Sequence, residues 1–284
     1  MKTIAAVTLA SGSGGALAQP AGCGKIKFGI CSPPDRAEKL KEAGFEFIEC
    51  SVGAILKPET PDAVFAPEFD RLKACALPIR SCNGFIPGKF RLTGPATMHG
   101  EALEYAFTAC RRAEAIGIRH IVFGSGGARK IPEGFDAGKA KSQFVEFCRR
   151  LGKRISDFNL TIVLEPLNKG ETNLLNSVTE GIAYVDAISH PRIRLLADFY
   201  HMLKEGEGPD AIRAAGGRIR HCHIAELAGR KAPGTKGEDL SGYFKALKDI
   251  LYSGGVSCEC GWPEENIEEA WKRALATMRQ QAGA

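Results

Sequence analysis

The chain has 284 residues, 44% apolar and 25% charged, with 38 basic and 33 acidic side chains and a formal net charge of +5. That balance is ordinary for a folded domain and excludes disorder, collagen or coiled coil as the main state. No run of 18 apolar residues marks a membrane-spanning helix, and no block of five like charges marks a nucleic-acid partner.

Met1-Lys2 opens the chain, followed by an apolar run over 3–10, a Ser-Gly-Ser-Gly-Gly stretch and the small-residue site Ala16-Leu17-Ala18. This is the pattern of a secretory signal, and residues 1–24 are expected to be either that or a flexible extension. The first reading makes the protein periplasmic or secreted, the second cytoplasmic.

From Lys25 onward, short apolar runs alternate with helical stretches. A strand is expected over 26–30, then a helix over 35–43 stopped by Gly44. A strand over 45–49 precedes a helix near 67–76. A strand over 78–83 precedes a helix over 101–116 stopped by Gly117. The strand over 120–124 leads to a helix over 141–158, with Phe144, Phe147, Cys148 and Leu151 at helical spacing. Strand 161–165 leads to helix 178–188, strand 193–198 to helix 209–215, strand 219–224 to helix 240–251, and strand 255–259 to helix 265–278.

Eight such units over 25–284 predict an α/β fold, a single-domain (β/α)8 TIM barrel. A doubly wound open sheet is the alternative, but no Gly-x-Gly-x-x-Gly follows the first strand. The ten cysteines include no Cys-x-x-Cys pair, and buried free thiols are expected rather than a disulfide framework.

In a barrel, the carboxyl ends of the strands face the site. Four successive strands end in ligand-type residues: Glu165, Asp198, His223 and Glu259. Three carboxylates and an imidazole suit a divalent metal such as Mn2+, Mg2+ or Co2+, which also relieves the repulsion among the acids. Each acid alone reads equally as a helix cap or ion-pair partner. His221 alternates with His223 on one strand, and is either a layer residue or the ligand itself. Glu49, inside an apolar run, faces the pocket or joins an interhelical salt bridge. Ser125-Gly126-Gly127 with Arg129 and Lys130 is read as a plain loop in preference to a phosphate cradle. Trp262 either stacks on a bound ligand or packs the last helix.

The blocks Leu-Glu-Pro-Leu-Asn at 164–168, Ala-Asp-Phe-Tyr-His-Met at 197–202, His-Cys-His-Ile-Ala-Glu at 221–226 and Cys-Glu-Cys-Gly-Trp at 258–262 carry a resemblance. The chain resembles the xylose-isomerase-like barrel superfamily of sugar isomerases and epimerases, which includes hydroxypyruvate isomerases and ketose 3-epimerases. The resemblance implies that Glu165, Asp198, His223 and Glu259 hold one metal. It implies substrate contacts at Glu171, His201 and Arg230. The spacing to Arg230 is one residue longer than in the ketose epimerases, which leaves Lys231 as the other candidate. Asn83 to Gly88 resembles the loop that walls the sugar pocket. A homo-oligomer, dimer or tetramer, is common in that family.

The expected chemistry is an isomerase reaction, proton transfer next to a carbonyl through an enediolate held by the metal, with Glu165 and Glu259 as proton carriers. One carbon gives epimerisation; two neighbouring carbons give aldose–ketose isomerisation. A lyase or dehydratase on keto-sugars or glycosides is the main alternative. An endonuclease-type phosphodiesterase needs more histidines than the six present, and a non-catalytic sugar-binding protein would lack a ligand.

Overall fold

A computed structural model describes residues 25–263 and 265–283; the expected leader or extension at 1–24, with Cys23, lies outside them. The strands are β1 Lys27–Cys31, β2 Phe47–Ser51, β3 Ile79–Asn83 and β4 His120–Phe123, then β5 Thr161–Leu164, β6 Ile193–Asp198, β7 Ile219–Ile224 and β8 Gly255–Cys258. Each pairs in parallel with the next, and β8 pairs with β1, so the sheet closes as a TIM barrel.

The strands are apolar on both faces because both are covered. Outward residues pack under the helices in one large core. Phe123, for example, meets Phe144 and Phe147 of helix Ala137–Arg154 at ring separations of 5.2 and 6.0 Å. Burying each such ring contributes about 1.5–3 kcal/mol. Inward residues form a small separate layer of Val122, Val163 and Leu196. Above it the interior turns polar.

Two ladders are irregular. Ile48 pairs with Ile79 but Glu49 with Ser81, which leaves Arg80 as an extra residue; Leu195 pairs with Ile219 but Leu196 with His221, which leaves Arg220 as another. Such bulges re-aim side chains at barrel rims.

Several boundaries differ from expectation, three of them for identifiable reasons. Strand β2 starts two residues late because Gly44 turns at φ 96° and Phe45 donates back to Leu40 O at 3.1 Å. The helix expected near 67–76 is Asp62–Lys73, with Pro67 inside it. Its start is fixed from another helix: buried Arg112 donates to Leu56 O, Lys57 O, Thr60 O and Asp62 Oδ1 at 2.6–2.8 Å. The helix expected over 141–158 starts at Ala137, where the Asp136 side chain accepts from Lys139 N at 2.7 Å. The nine described cysteines are free, six of them buried, as the sequence led us to expect. No described helix is long and apolar enough to cross a membrane.

Candidate active site

Glu165 follows β5, Asp198 ends β6, His223 lies near the end of β7 and Glu259 follows β8. The ladder sets Asp198 beside His223, and the ligand-type atoms of all four residues lie within 4.8 Å of one another. His223 Nδ1 is the hub: it is 2.9 Å from Glu165 Oε1, 3.4 Å from Glu259 Oε2 and 3.9 Å from Asp198 Oδ2.

Asp198 does two jobs with two oxygens. Oδ1 accepts from Tyr200 N at 2.8 Å and His201 N at 3.4 Å, and so caps the short helix Phe199–Lys204. Oδ2 is buried and has no hydrogen-bond partner. The cap reading of this acid is therefore correct for one oxygen and leaves the other aimed at the cluster.

Below the cluster sits Glu49, fully buried. Its Oε1 lies 2.9 Å from His223 Nε2, and its Oε2 lies 2.6 Å from His221 Nε2. Ser81 and Ser257 hydroxyls donate to Oε2 at 2.6 and 3.2 Å. The choice left open for Glu49 resolves toward the barrel interior, with histidines rather than a helix as partners. His221 is the layer residue and His223 the one at the mouth. Cys31, Glu49 and His223 also lie close enough to be grouped as ligands, but Glu49 already has four partners.

Burial alone would push the Glu49 carboxyl up, yet His223 and His221 outweigh it and hold it well below the ordinary range. It therefore accepts, and both Nε2 atoms donate to it. Burial would lower His223, but Glu49, Glu259 and Glu165 together hold it well above its ordinary value. Burial raises Glu165 against the pull of His223. Burial also raises Asp198 to about 6 despite His223. For Glu259, burial is overcome by His223 and then Arg230, and the carboxyl falls to about 2.

The rim is built from the other expected residues. Asn83 Nδ2 donates to Glu259 Oε1 at 3.1 Å. Arg230, at φ 51°, bonds Glu259 Oε2 directly, lies 3.7 Å from Asp198 Oδ2 and 3.6 Å from Glu171 Oε1, and stacks 4.8 Å over the Tyr200 ring. Arg230 ends a short 3-10 turn, Ala228–Arg230, with Gly229 at φ 72°. Arg230, not Lys231, is thus the cation on Glu259. His201 Nδ1 accepts from Asn168 N at 3.2 Å, which places the proton on Nε2; that nitrogen is buried, makes no hydrogen bond and lies 3.5 Å from Asp198 Oδ2. Burial keeps the ring neutral by lowering its pKa. Asn168 Nδ2 also donates to Glu171 Oε1 at 2.9 Å. Trp262 is half-buried against the main apolar core.

Two features were not read from the sequence. Gly124 is needed because a Cβ there would collide with Glu165 Oε2. Arg129 is fully buried and donates to Phe123 O at 3.1 Å and Glu165 O at 2.7 Å, so it braces the backbone that carries Glu165. Gly126–Arg129, expected as a plain loop, is a single helical turn, and the Arg129 Nη donors go to backbone carbonyls.

The donor set fits a divalent cation. Carboxylate oxygens and one imidazole nitrogen converge, Asp198 Oδ2 is buried without a hydrogen bond, and the hub histidine is oriented from behind by a carboxylate.

The family model for the xylose isomerase-like TIM barrel matches residues 37–281. An L-ribulose 3-epimerase from Methylomonas sp. (strain DH-1) is 36% identical over 140 residues, 49% of this chain and 48% of its own. This chain thus spans about half the length of that relative. A Mus musculus protein provisionally named hydroxypyruvate isomerase is 28% identical over 256 residues, 87% of this chain and 90% of its own. Among solved structures, D-psicose 3-epimerase from Clostridium cellulolyticum H10 with D-tagatose superposes with a TM-score of 0.80 at 22% identity, over 90% of this chain and 99% of that one. The chain belongs to the xylose isomerase-like TIM barrel family.

Proposed function

We propose that the protein is a divalent-metal-dependent sugar epimerase that moves a proton at the carbon next to a ketose carbonyl. One observation carries this reading: Glu165, Asp198, His223 and Glu259 present ligand atoms within 4.8 Å of one another at the barrel mouth. Similarity to named 3-epimerases supports it.

Glu165, Asp198, His223 and Glu259 would hold the ion. A divalent cation bound there supplies a positive charge that polarises a substrate carbonyl and makes the neighbouring C–H more acidic. Glu165 and Glu259 reach the site from β5 and β8, on different arcs of the barrel. In the proposed reaction one removes the proton and the other returns it to the opposite face. Their environments suit unequal roles: burial raises Glu165, while His223 and Arg230 outweigh burial and depress Glu259. His201 Nε2–H, 3.5 Å from Asp198 Oδ2 and without a hydrogen bond, is placed to donate to a substrate oxygen beside that carboxylate. Asn83 and Arg230 hold Glu259 in place.

The near full-length similarity to the mouse protein favours a second reading, aldose–ketose isomerisation at the same site. Product analysis separates the two. Metal-loaded protein incubated with a panel of ketoses is expected to yield an isomeric ketose inverted at one carbon. An aldose product would replace epimerisation with isomerisation. Loss of water or an aglycone would replace both with a lyase.

A further inference from the structure

The opposite end of the barrel gathers charge that this chemistry does not use. Leu196 and Val122 belong to the interior layer, so Arg194 and His120, two residues earlier on β6 and β4, lie on the same inward face nearer the amino-terminal end. Arg80 and Arg220 are the extra residues at the two ladder irregularities. Each directly precedes an inward residue, Ser81 or His221, that contacts Glu49 Oε2 at 2.6 Å. The His120 and His221 rings stack at 5.7 Å on the same inward face.

Among the described residues none of these arginines forms an ion pair; the acid that acts on Arg194, Asp186, is itself paired with Arg218. All three are half-buried. Among the described residues, the arginines that form ion pairs are others: Arg71, Arg111, Arg112, Arg154, Arg213, Arg218 and Arg230. Arg194 Nη1 donates to His190 O and Ile193 O at 3.0 Å, and Arg220 Nη1 to Ile219 O at 3.3 Å. Arg80 Nε and His120 Nδ1 are buried without partners. Residues 1–24 contain no aspartate or glutamate, so they bring no acidic side chain either. Burial, and then the nearby Arg220 and Arg218, hold Arg194 below the ordinary arginine range against the pull of Asp186.

Like charges at reduced dielectric repel. A tetrahedral oxyanion removes that repulsion, and its oxygens match the planar fork of guanidinium donors. We propose that the amino-terminal floor of the barrel binds a small divalent oxyanion, phosphate or sulfate, through Arg80, Arg194 and Arg220.

The test is thermal unfolding of the full chain in sulfate, phosphate and chloride at matched ionic strength. The proposal expects a saturable rise in Tm with the oxyanions and not with chloride. A rise with both assigns the site to tetrahedral dianions in general; a rise with phosphate alone assigns it to phosphate. Arg194→Gln and Arg220→Gln should each weaken the apparent affinity tenfold or more, while Arg71→Gln, exposed and paired with Glu68, leaves it unchanged. Without oxyanion, Arg220→Gln should raise Tm, because a repelling charge is gone. If one floor variant does not fold, Arg80→Gln carries the same comparison. Equal Tm in all three salts, or a shift that the floor variants leave intact, would overturn the proposal.

Discussion

Glu49 Oε1 lies 2.9 Å from His223 Nε2, so the nitrogen that His223 turns toward the mouth is Nδ1. A ligand histidine oriented by a carboxylate keeps one tautomer and one ring angle. Glu49→Gln retains the shape but replaces a double acceptor with one acceptor and one donor. We expect metal affinity to fall about 10–100-fold. Calorimetric titration of the variant with Mn2+ checks this, and unchanged affinity would remove Glu49 from the metal account. The same variant changes acid stability. The Glu49 carboxyl is depressed in the folded state, so its stabilisation is present above the ordinary carboxylate range and is lost as pH falls through the depressed value. Glu49→Gln should lack that acid limb.

Metal binding should release protons. His223 is held well above its ordinary pKa by its three carboxylate neighbours, against burial, so the metal-free ring carries both protons at neutral pH. A metal needs the Nδ1 lone pair. Apparent affinity therefore rises with pH until the raised pKa is passed. Titrations in buffers of different ionisation heat should report at least one proton released per ion. Zero release would mean that His223 is not a ligand.

Gly124→Ala should damage the site more than the fold. The new methyl group collides with Glu165 Oε2, while overpacking of this kind costs about 1–3 kcal/mol. The expected outcome is a folded protein with weakened metal binding. Wild-type affinity in a folded variant would show that Glu165 can move aside without consequence.

Arg112→Met tests the clamp that fixes the start of helix Asp62–Lys73. The substitution takes the side-chain donor from Leu56 O and Thr60 O, while Lys57 O keeps Thr60 N and Asp62 keeps Arg111, at a cost of about 1–3 kcal/mol. Urea unfolding measures it, and a change under about 0.5 kcal/mol would show that the loop finds other donors.

The barrel was legible because each strand is a short apolar run closed by polar residues, and the four strand ends fall at its mouth for that reason alone. What could not be read depends on contacts between distant segments. Arg112 sets a helix start 50 residues away. Glu49 meets His223 across 174 residues of sequence, and nothing near Glu49 separates an inward acid from a surface one. The role of Gly124 depends on where the Glu165 carboxylate lies. Asp198 looked ambiguous as cap or ligand because its two oxygens divide the roles.

The most direct measurement is hydrogen exchange by NMR in heavy water. The protein is stripped of metal, then reloaded with Mn2+ removed before detection or with Mg2+ throughout, and given a ketose that it converts. The account predicts deuterium at the carbon next to the carbonyl in the reloaded protein, little in the stripped one, and a loss of about 100- to 10,000-fold in Glu165→Gln. Exchange at the same rate without metal, or undiminished in Glu165→Gln, would contradict it.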